Sequence, residues 1–434
     1  MNNWLIRGGR IVDVINGIIE KKELLIENGK IARIASEIPA ESVGEDYQVI
    51  QADGRLISPG LIDLHVHLRE PGFEYKETVA TGTLSAAKGG FTAVACMPNT
   101  RPVIDSVETL SRLQGVIARD AIVRVLPIAA ITMGQLGREL TDMEGLKQAG
   151  AFAFSDDGVG VQESRMMLEA MWKARELDVA IIAHTEDHSL AKGGSVHQGI
   201  YAEKYGLKGI PAEAESVQVA RDILLAESTG VHYHVCHISA EQSVHHVRLG
   251  KRRGVKVTAE VTPHHLLLTD EDIPGLAPNY KMNPPLRSQK DRAALIEGLK
   301  DGTIDFIATD HAPHSAEEKA KGMELAPFGI VGLETAFPLL YTHLVEKGIL
   351  ALTELIRKMS YDPARLFHLP WGKLAEGASA DITIIDLEEE REIDPDTFAS
   401  KGRNTPFKGW KCKGWPVLTM VEGRVVWQEG GRTE

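Results

Sequence analysis

The chain has 434 residues, of which 43% are hydrophobic and 25% charged, with a formal net charge of -13. That balance excludes a collagen-like or disordered chain and argues against a general electrostatic grip on nucleic acid, while leaving room for a local basic pocket around a small anion. Three scattered cysteines, Cys96, Cys236 and Cys412, are too few for a disulfide framework or a thiolate zinc site.

The opening stretch MNNWLIRGGRIVDV has no charged region leading into an apolar core, so it does not read as a signal peptide. No apolar run reaches the ~20 residues a membrane span requires. A reducing cytoplasm and no membrane partner are expected. The first 56 residues alternate β-rich runs with Gly or Asn-Gly turns, as in WLIRGGRIVDV and KKELLIENGKIARIA, which predicts hairpins. Residues 371–434 have the same character, in ADITIIDLEEEREI and WPVLTMVEGRVVWQEG. A small β-sandwich built from both termini, 1–56 and 371–434, is the economical reading.

Between them, over 57–370, eight strand-like runs alternate with helical stretches: LIDLHVH, FTAVACM, IVRVLPIAAI, AFAFSDD, VAIIAH, HYHVCH, VKVTAEVT and TIDFIATDH. Helices are predicted for KETVATGTLSAAKGG, SRMMLEAMWKAREL and ESVQVARDILLAEST. Strands alternating with helices imply a parallel sheet, and eight such units predict an α/β fold of the (β/α)8 barrel type.

The polar residues sit where these runs end. The first closes on His65 and His67, the second leads into Asn99, and the fourth closes on Asp156 and Asp157. The fifth closes on His184, the sixth on His237 and the eighth on Asp310, followed by His311 and His314. A barrel gathers the C-terminal ends of its strands on one face, where active sites are built. A lone His-x-His pair is more often a surface pair or a satisfied one; nitrogen and oxygen donors recurring at strand ends are harder to dismiss. Imidazole and carboxylate without thiolate suit Zn²⁺ or a similar divalent ion at a catalytic site. Four histidines and two aspartates exceed the ligand set of one catalytic zinc and fit two metals sharing a bridging carboxylate.

The motifs GLIDLHVHLREPG, FSDDG, HVCHIS, MNPPLR, ATDHAPHSAEEK and PFGIVGLETA together closely resemble the type I bacterial dihydroorotases of the amidohydrolase superfamily, in the right order from about residue 3 to 430. The resemblance implies reversible interconversion of dihydroorotate and N-carbamoyl-L-aspartate, the third step of pyrimidine synthesis. It implies two Zn²⁺ per subunit: His65 and His67 on one, His184 and His237 on the other, Asp157 as the bridge, and Asp310 as a ligand that is also the catalytic acid and base. It further assigns substrate contacts to His67, Arg69, Asn99, Asn283, His314, Phe328 and Gly329. A homodimer is implied, and association with aspartate transcarbamoylase occurs among such relatives. Many members of the superfamily bridge their metals with a carboxylated lysine at the end of the fourth strand. Here that strand has none, and Lys147 is too early.

Other candidates read as structure. Asp156 and the pair His264-His265 are expected outside the metal shell. His232 and His234 are expected to pack or to face helices, and Cys236 to be a small core residue. APHSAEEKAKG reads as a polar loop over the mouth, a candidate mobile segment. Two other functions fit the same pattern, a sibling cyclic amidase acting on dihydropyrimidines, hydantoins or allantoin, and a scaffold of the same fold that has lost catalysis. Arg69, a cation placed for a substrate carboxylate, and the intact ligand set argue against them.

Overall fold

The computed structural model describes residues 3–39, 43–44 and 47–431. Its central strands are short and, apart from the half-buried Arg124–Pro127, buried on both faces, as parallel strands covered by helices must be. All six residues of Leu61–Val66 and all six of Phe91–Cys96 are buried. Helices follow where the sequence supplies caps. Thr78 caps Val79–Lys88 and Ser106 caps Val107–Asp120, each with a reciprocal bond from a threonine three residues on. Helix Ser164–Leu177 turns Met167, Ala170, Met171 and Ala174 inward, a helical spacing of apolar residues.

Leu61–Val66 pairs in parallel with Phe91–Cys96, and that strand with Arg124–Pro127. A second parallel set runs Ile181–Ala183, Tyr233–Val235, Val257–Val261, Phe306–Ile307. Single bridges join the two sets: Ala129 to Phe154, Phe154 to Ile181, and Val66 to His311. The order of pairing therefore returns to the strand where it began. The run AFAFSDD, expected to be the fourth strand, contributes only the bridges at Phe154. Its chain leaves the sheet early because the Asp156 carboxylate takes the amides of Ile131 and Thr132, and Gly158 turns at φ +86°.

Both termini build the flanking sheets. One has the order Lys30–Ala35, Glu23–Glu27, Asn3–Arg7, Tyr47–Gln51. The other has six strands and mixes the two ends of the chain: Arg424–Gln428, Trp415–Val421, Ile382–Asp386, Leu56–Pro59, Arg10–Asp13, Ile18–Lys21. The boundary expected between residues 56 and 57 thus falls inside a strand, since Leu56–Pro59 pairs antiparallel with Ile382–Asp386. The chain crosses to the central strands at Gly60, where a Cβ would lie 2.2 Å from Thr92. The C-terminal segment also reaches further than a flanking sheet requires. Ser400 and Lys401 bond the buried carboxylate of Glu77, and Asn404 bonds His314 N, Ala312 O and Gly329 O. Among the described residues no helix is long and apolar enough to cross a membrane.

Candidate active site

At the C-terminal ends of the central strands the expected donors meet. The carboxylate of Asp157, buried, is surrounded by four imidazoles: His65 Nε2 at 3.4 Å, His67 Nε2 at 3.6 Å, His184 Nδ1 at 3.8 Å and His237 Nε2 at 3.9 Å. Burial would raise its pKa, but the His65, His67 and His184 rings hold it well below the usual carboxylate range. Asp310 Oδ1 closes one side, 3.0 Å from His67 Nε2 and 3.4 Å from His65 Nε2. His237 and Asp310 hold left-handed backbone, at φ +29° and +50°, the kind of strain found where the surroundings fix a functional side chain.

The fit to metal can be tested on the nitrogen atoms. His65 gives its Nδ1 to Glu260 Oε1 at 2.6 Å, and His67 gives its Nδ1 to Asn99 Oδ1 at 2.9 Å. A neutral imidazole that donates from Nδ1 keeps a lone pair on Nε2, so both rings aim a lone pair at the carboxylates. On the other side, His184 Nδ1 and His237 Nε2 stand 3.0 Å apart. Among the described residues, His65 Nε2 and Asp157 Oδ1 are buried without a hydrogen-bond partner. Buried acceptors converging on acceptors are stable only around a cation. The residues fit a divalent metal, and the nitrogen and oxygen donor set is that of a catalytic site.

Glu260 is the residue the sequence reading missed. It is fully buried, bonds His65 through one oxygen and His234 Nε2 through the other at 3.0 Å, and its own burial is overcome by those rings, which hold its pKa near about 2. Its only signal in the sequence is an acidic residue in an apolar strand, VKVTAEVT. His232 and His234, expected to pack or face helices, do pack, His232 against Phe367 and His234 stacked on Phe306, each with ring centroids 4.9 Å apart. Both also point at Thr258 Oγ1, each at 2.8 Å. Alternation along the strand turns both to the face that carries Thr258 and Glu260 on the neighbouring strand. Cys236, read as core, is buried, yet its Sγ falls within 4.8 Å of ligand atoms of His65 and Asp157. Burial pushes its thiol pKa up, so it stays protonated.

The remaining candidates line one cavity of about 310 Å³: His67, Arg69, Asn99, Asn283, His314, and Phe328 with Gly329. An extended trace carried on from His65 and His67 would turn Arg69 to their side, but the strand ends at Val66 and Arg69 adopts φ +62°. Its Nε donates to Pro313 O at 3.2 Å and one terminal nitrogen lies 3.2 Å from His314 Nε2. Burial, then Arg69, Lys76 and Lys319, push the His314 pKa far down, so the ring is neutral. His314 Nε2 donates to Phe328 O at 2.8 Å. Gly329, at φ +131°, would place a Cβ 2.6 Å from Ala312 and 3.1 Å from His314 Nε2, so no side chain fits there. Asn283 donates to Glu186 Oε2 at 2.8 Å, and Asn99 also donates to Asp157 Oδ2 at 3.3 Å.

Several groups stand apart from the donors. Asp156 is turned away to Ile131 and Thr132. His265 spends Nδ1 on Thr262 Oγ1 and Nε2 on Pro284 O. His311 donates to Glu77 from Nε2 and accepts from Gly332 N at Nδ1. Lys147 Nζ bonds Leu177 O. The loop APHSAEEKAKG is less free than its polarity suggests. Ser315 caps a short helix, Ala316–Lys319, and Lys319 is buried, with Nζ donating to the carbonyls of Lys281, Pro327 and Gly329.

Four imidazoles and two carboxylates, gathered from strand ends of an α/β chain, define a metal-dependent hydrolase of the amidohydrolase superfamily. Comparison agrees. Residues 54–243 match the family model described as dihydro-orotase-like. A dihydroorotase of Halalkalibacterium halodurans is 63% identical over 98% of both chains, and one of a Geobacillus species is 66% identical over 96% of both. Among solved structures, the L-hydantoinase (dihydropyrimidinase) of Arthrobacter aurescens superposes with a TM-score of 0.90 at 27% identity, covering 100% of this chain and 98% of its own. The chain belongs to the dihydroorotase family.

Proposed function

We propose that the chain opens the cyclic amide of (S)-dihydroorotate to N-carbamoyl-L-aspartate, reversibly, as the third step of pyrimidine synthesis, on a (β/α)8 barrel flanked by a β-sandwich of both termini. The closed pairing order of the central strands and the mixed six-stranded sheet support that architecture. The observation that carries the function is Asp157, a buried carboxylate within 3.9 Å of four imidazole nitrogens, beside a cavity that also presents Arg69.

Two Zn²⁺ are the proposed occupants: His65, His67 and Asp310 would hold one, His184 and His237 the other, and Asp157 would serve both. When bound, such a pair polarises the amide carbonyl and lowers the pKa of the hydrolytic water. Asp310 takes a proton from the attacking water as the new C–O bond forms. It returns the proton to the ring nitrogen as the C–N bond breaks, a general base and then a general acid. Arg69 meets the substrate carboxylate, for which a planar guanidinium offers a two-point contact. Neutral His314, which adds no charge of its own, and Asn283 orient the ring, while the Phe328–Gly329 backbone closes on it.

The hydantoinase-like fold neighbours favour one rival, a cyclic amidase for uncharged rings. The absence of a lysine at the fourth strand's end and the presence of Arg69 count against it. Metal content and turnover of dihydroorotate against dihydrouracil test the two readings together. Asp310→Asn should keep the fold and a bound metal yet lose about 10²–10⁴ in turnover of dihydroorotate. A metal-loaded wild type that prefers dihydrouracil would sink the proposal.

A further inference from the structure

The opposite pole of the central strands carries a second cavity, of about 480 Å³. It is lined by residues at the starts of strands: Phe152 ahead of Phe154, His232 ahead of Tyr233, Lys256 ahead of Val257. Nothing in the hydrolytic site uses it. Its volume is that of a small-molecule site.

The lining has two kinds of group. Phe152 and Phe367 form an aromatic floor, their ring centroids 5.6 Å apart, and the His232 ring lies 4.9 Å from Phe367. Around the rim stand Arg175, Lys256 and His368 against one carboxylate, Asp178. Neither Arg175 nor Lys256 has an ion pair or side-chain hydrogen bond among the described residues, although the chain as a whole carries -13. Two unpaired cations over an aromatic floor recognise a flat ring bearing an acidic group.

The floor of this cavity is wired to the metal site. His232 Nε2 meets Thr258 Oγ1, which meets His234 Nδ1; His234 Nε2 meets Glu260, and Glu260 meets His65 Nδ1. The donors run one way only. His65 and His234 each give a proton to the Glu260 carboxylate, so His234 Nδ1 must accept from the Thr258 hydroxyl, which in turn accepts from His232. A hydroxyl has one proton to give. A ligand that draws the His232 proton to Nδ1 leaves Nε2 an acceptor, so Thr258 gives its one proton there and His234 Nδ1 loses its donor, a loss the buried chain carries through Glu260 to the ligand His65.

We propose that this cavity is a second ligand site, taking an anion of mononucleotide size, with its ring on Phe152 and Phe367 and its acidic group between Arg175 and Lys256, and that occupancy alters turnover through the His232–Thr258–His234–Glu260–His65 chain. Uridine 5′-monophosphate is a suitable probe, with inorganic phosphate and uridine as its two halves. Equilibrium dialysis against the metal-loaded enzyme should retain the nucleotide more tightly than either half. The exposed double variant Arg175→Ala/Lys256→Ala should weaken retention by about tenfold or more while leaving turnover without nucleotide unchanged. At saturating dihydroorotate, which removes competition at the hydrolytic site, the nucleotide should change turnover of the wild type. It should do so in Thr258→Ser but not in Thr258→Val, which still binds it. No retention up to about 10 mM, or retention indifferent to the double variant, would overturn the site. Phosphate retained as tightly as the nucleotide would overturn the ring contact, and uridine retained as tightly would overturn the anion contact. Bound nucleotide without any change in turnover would overturn the link to His65.

Discussion

Glu260 Oε1 lies 2.6 Å from His65 Nδ1, in surroundings where neither side chain has any solvent exposure. The carboxylate fixes the imidazole tautomer and raises the basicity of Nε2, the atom that faces Asp157 and Asp310. Glu260→Gln keeps the shape and one acceptor but removes the charge. Metal affinity should fall about 10–100-fold with the fold intact. Competition with a calibrated chelator measures it, and unchanged affinity would leave Glu260 with a packing role only.

The two aspartates of FSDDG should separate cleanly. Asp157→Ala removes the one carboxylate that all four imidazoles approach, so metal content should drop sharply. Asp156→Ala leaves the metal in place but strands the amides of Ile131 and Thr132 and the Thr132 hydroxyl. Buried donors left unpaired cost about 1–3 kcal/mol each, so that variant should melt earlier while binding metal normally. Metal analysis beside thermal melting decides it, and the reverse order of effects would exchange the two roles.

What could be read in the chain and what could not follow from the range of each interaction. The donors at strand ends, from His65 to Asp310, were legible because each breaks an apolar run at its C-terminal side. The alternation of strands and helices was legible from periodicity. Glu260, Glu77 and Asn404 were not, because each acts on a partner far off in sequence: Glu260 on His65, Glu77 on His311, Asn404 on His314. Arg69 reaches the cavity of the strand-end donors through a left-handed residue past the end of its strand, and a single such residue leaves no trace in composition. Lys319 sits in a polar stretch that looks solvated, and only the carbonyls of Lys281, Pro327 and Gly329 make it an anchor.

Lys319 also gives a pH signature. Burial, reinforced by nearby Lys281, lowers its pKa from the ordinary 10.5 to about 7. Between those values the unfolded chain holds a proton that the folded chain has released, so rising pH favours the folded state. The penalty for burying the ammonium is complete below about pH 7 and fades as the pH climbs toward 10.5. Relative to Lys319→Met, the wild type should therefore gain up to a few kcal/mol over that window. Thermal midpoints of both proteins across the window check it. A difference that does not vary with pH would mean the three carbonyls keep Lys319 protonated throughout.

The last test concerns Arg69, whose guanidinium is held by Pro313 O beside the neutral ring of His314. Those contacts leave it facing a cavity shared with Asp310 and Asp157, so a ring amide near the metal ligands would present its carboxylate to Arg69. Arg69→Ala should raise KM for dihydroorotate strongly and cost several kcal/mol in kcat/KM, on the order of a buried charge pair that loses one partner. Uncharged dihydrouracil has no carboxylate to lose, so any residual turnover of it should fall far less. The alanine variant also frees Pro313 O and one side of His314, and a loosened loop would slow both substrates by the same factor. The ratio of the two losses separates the roles when both proteins carry equal metal. A ratio well above one assigns Arg69 to the substrate carboxylate; a ratio near one makes it a support for the 313–314 turn.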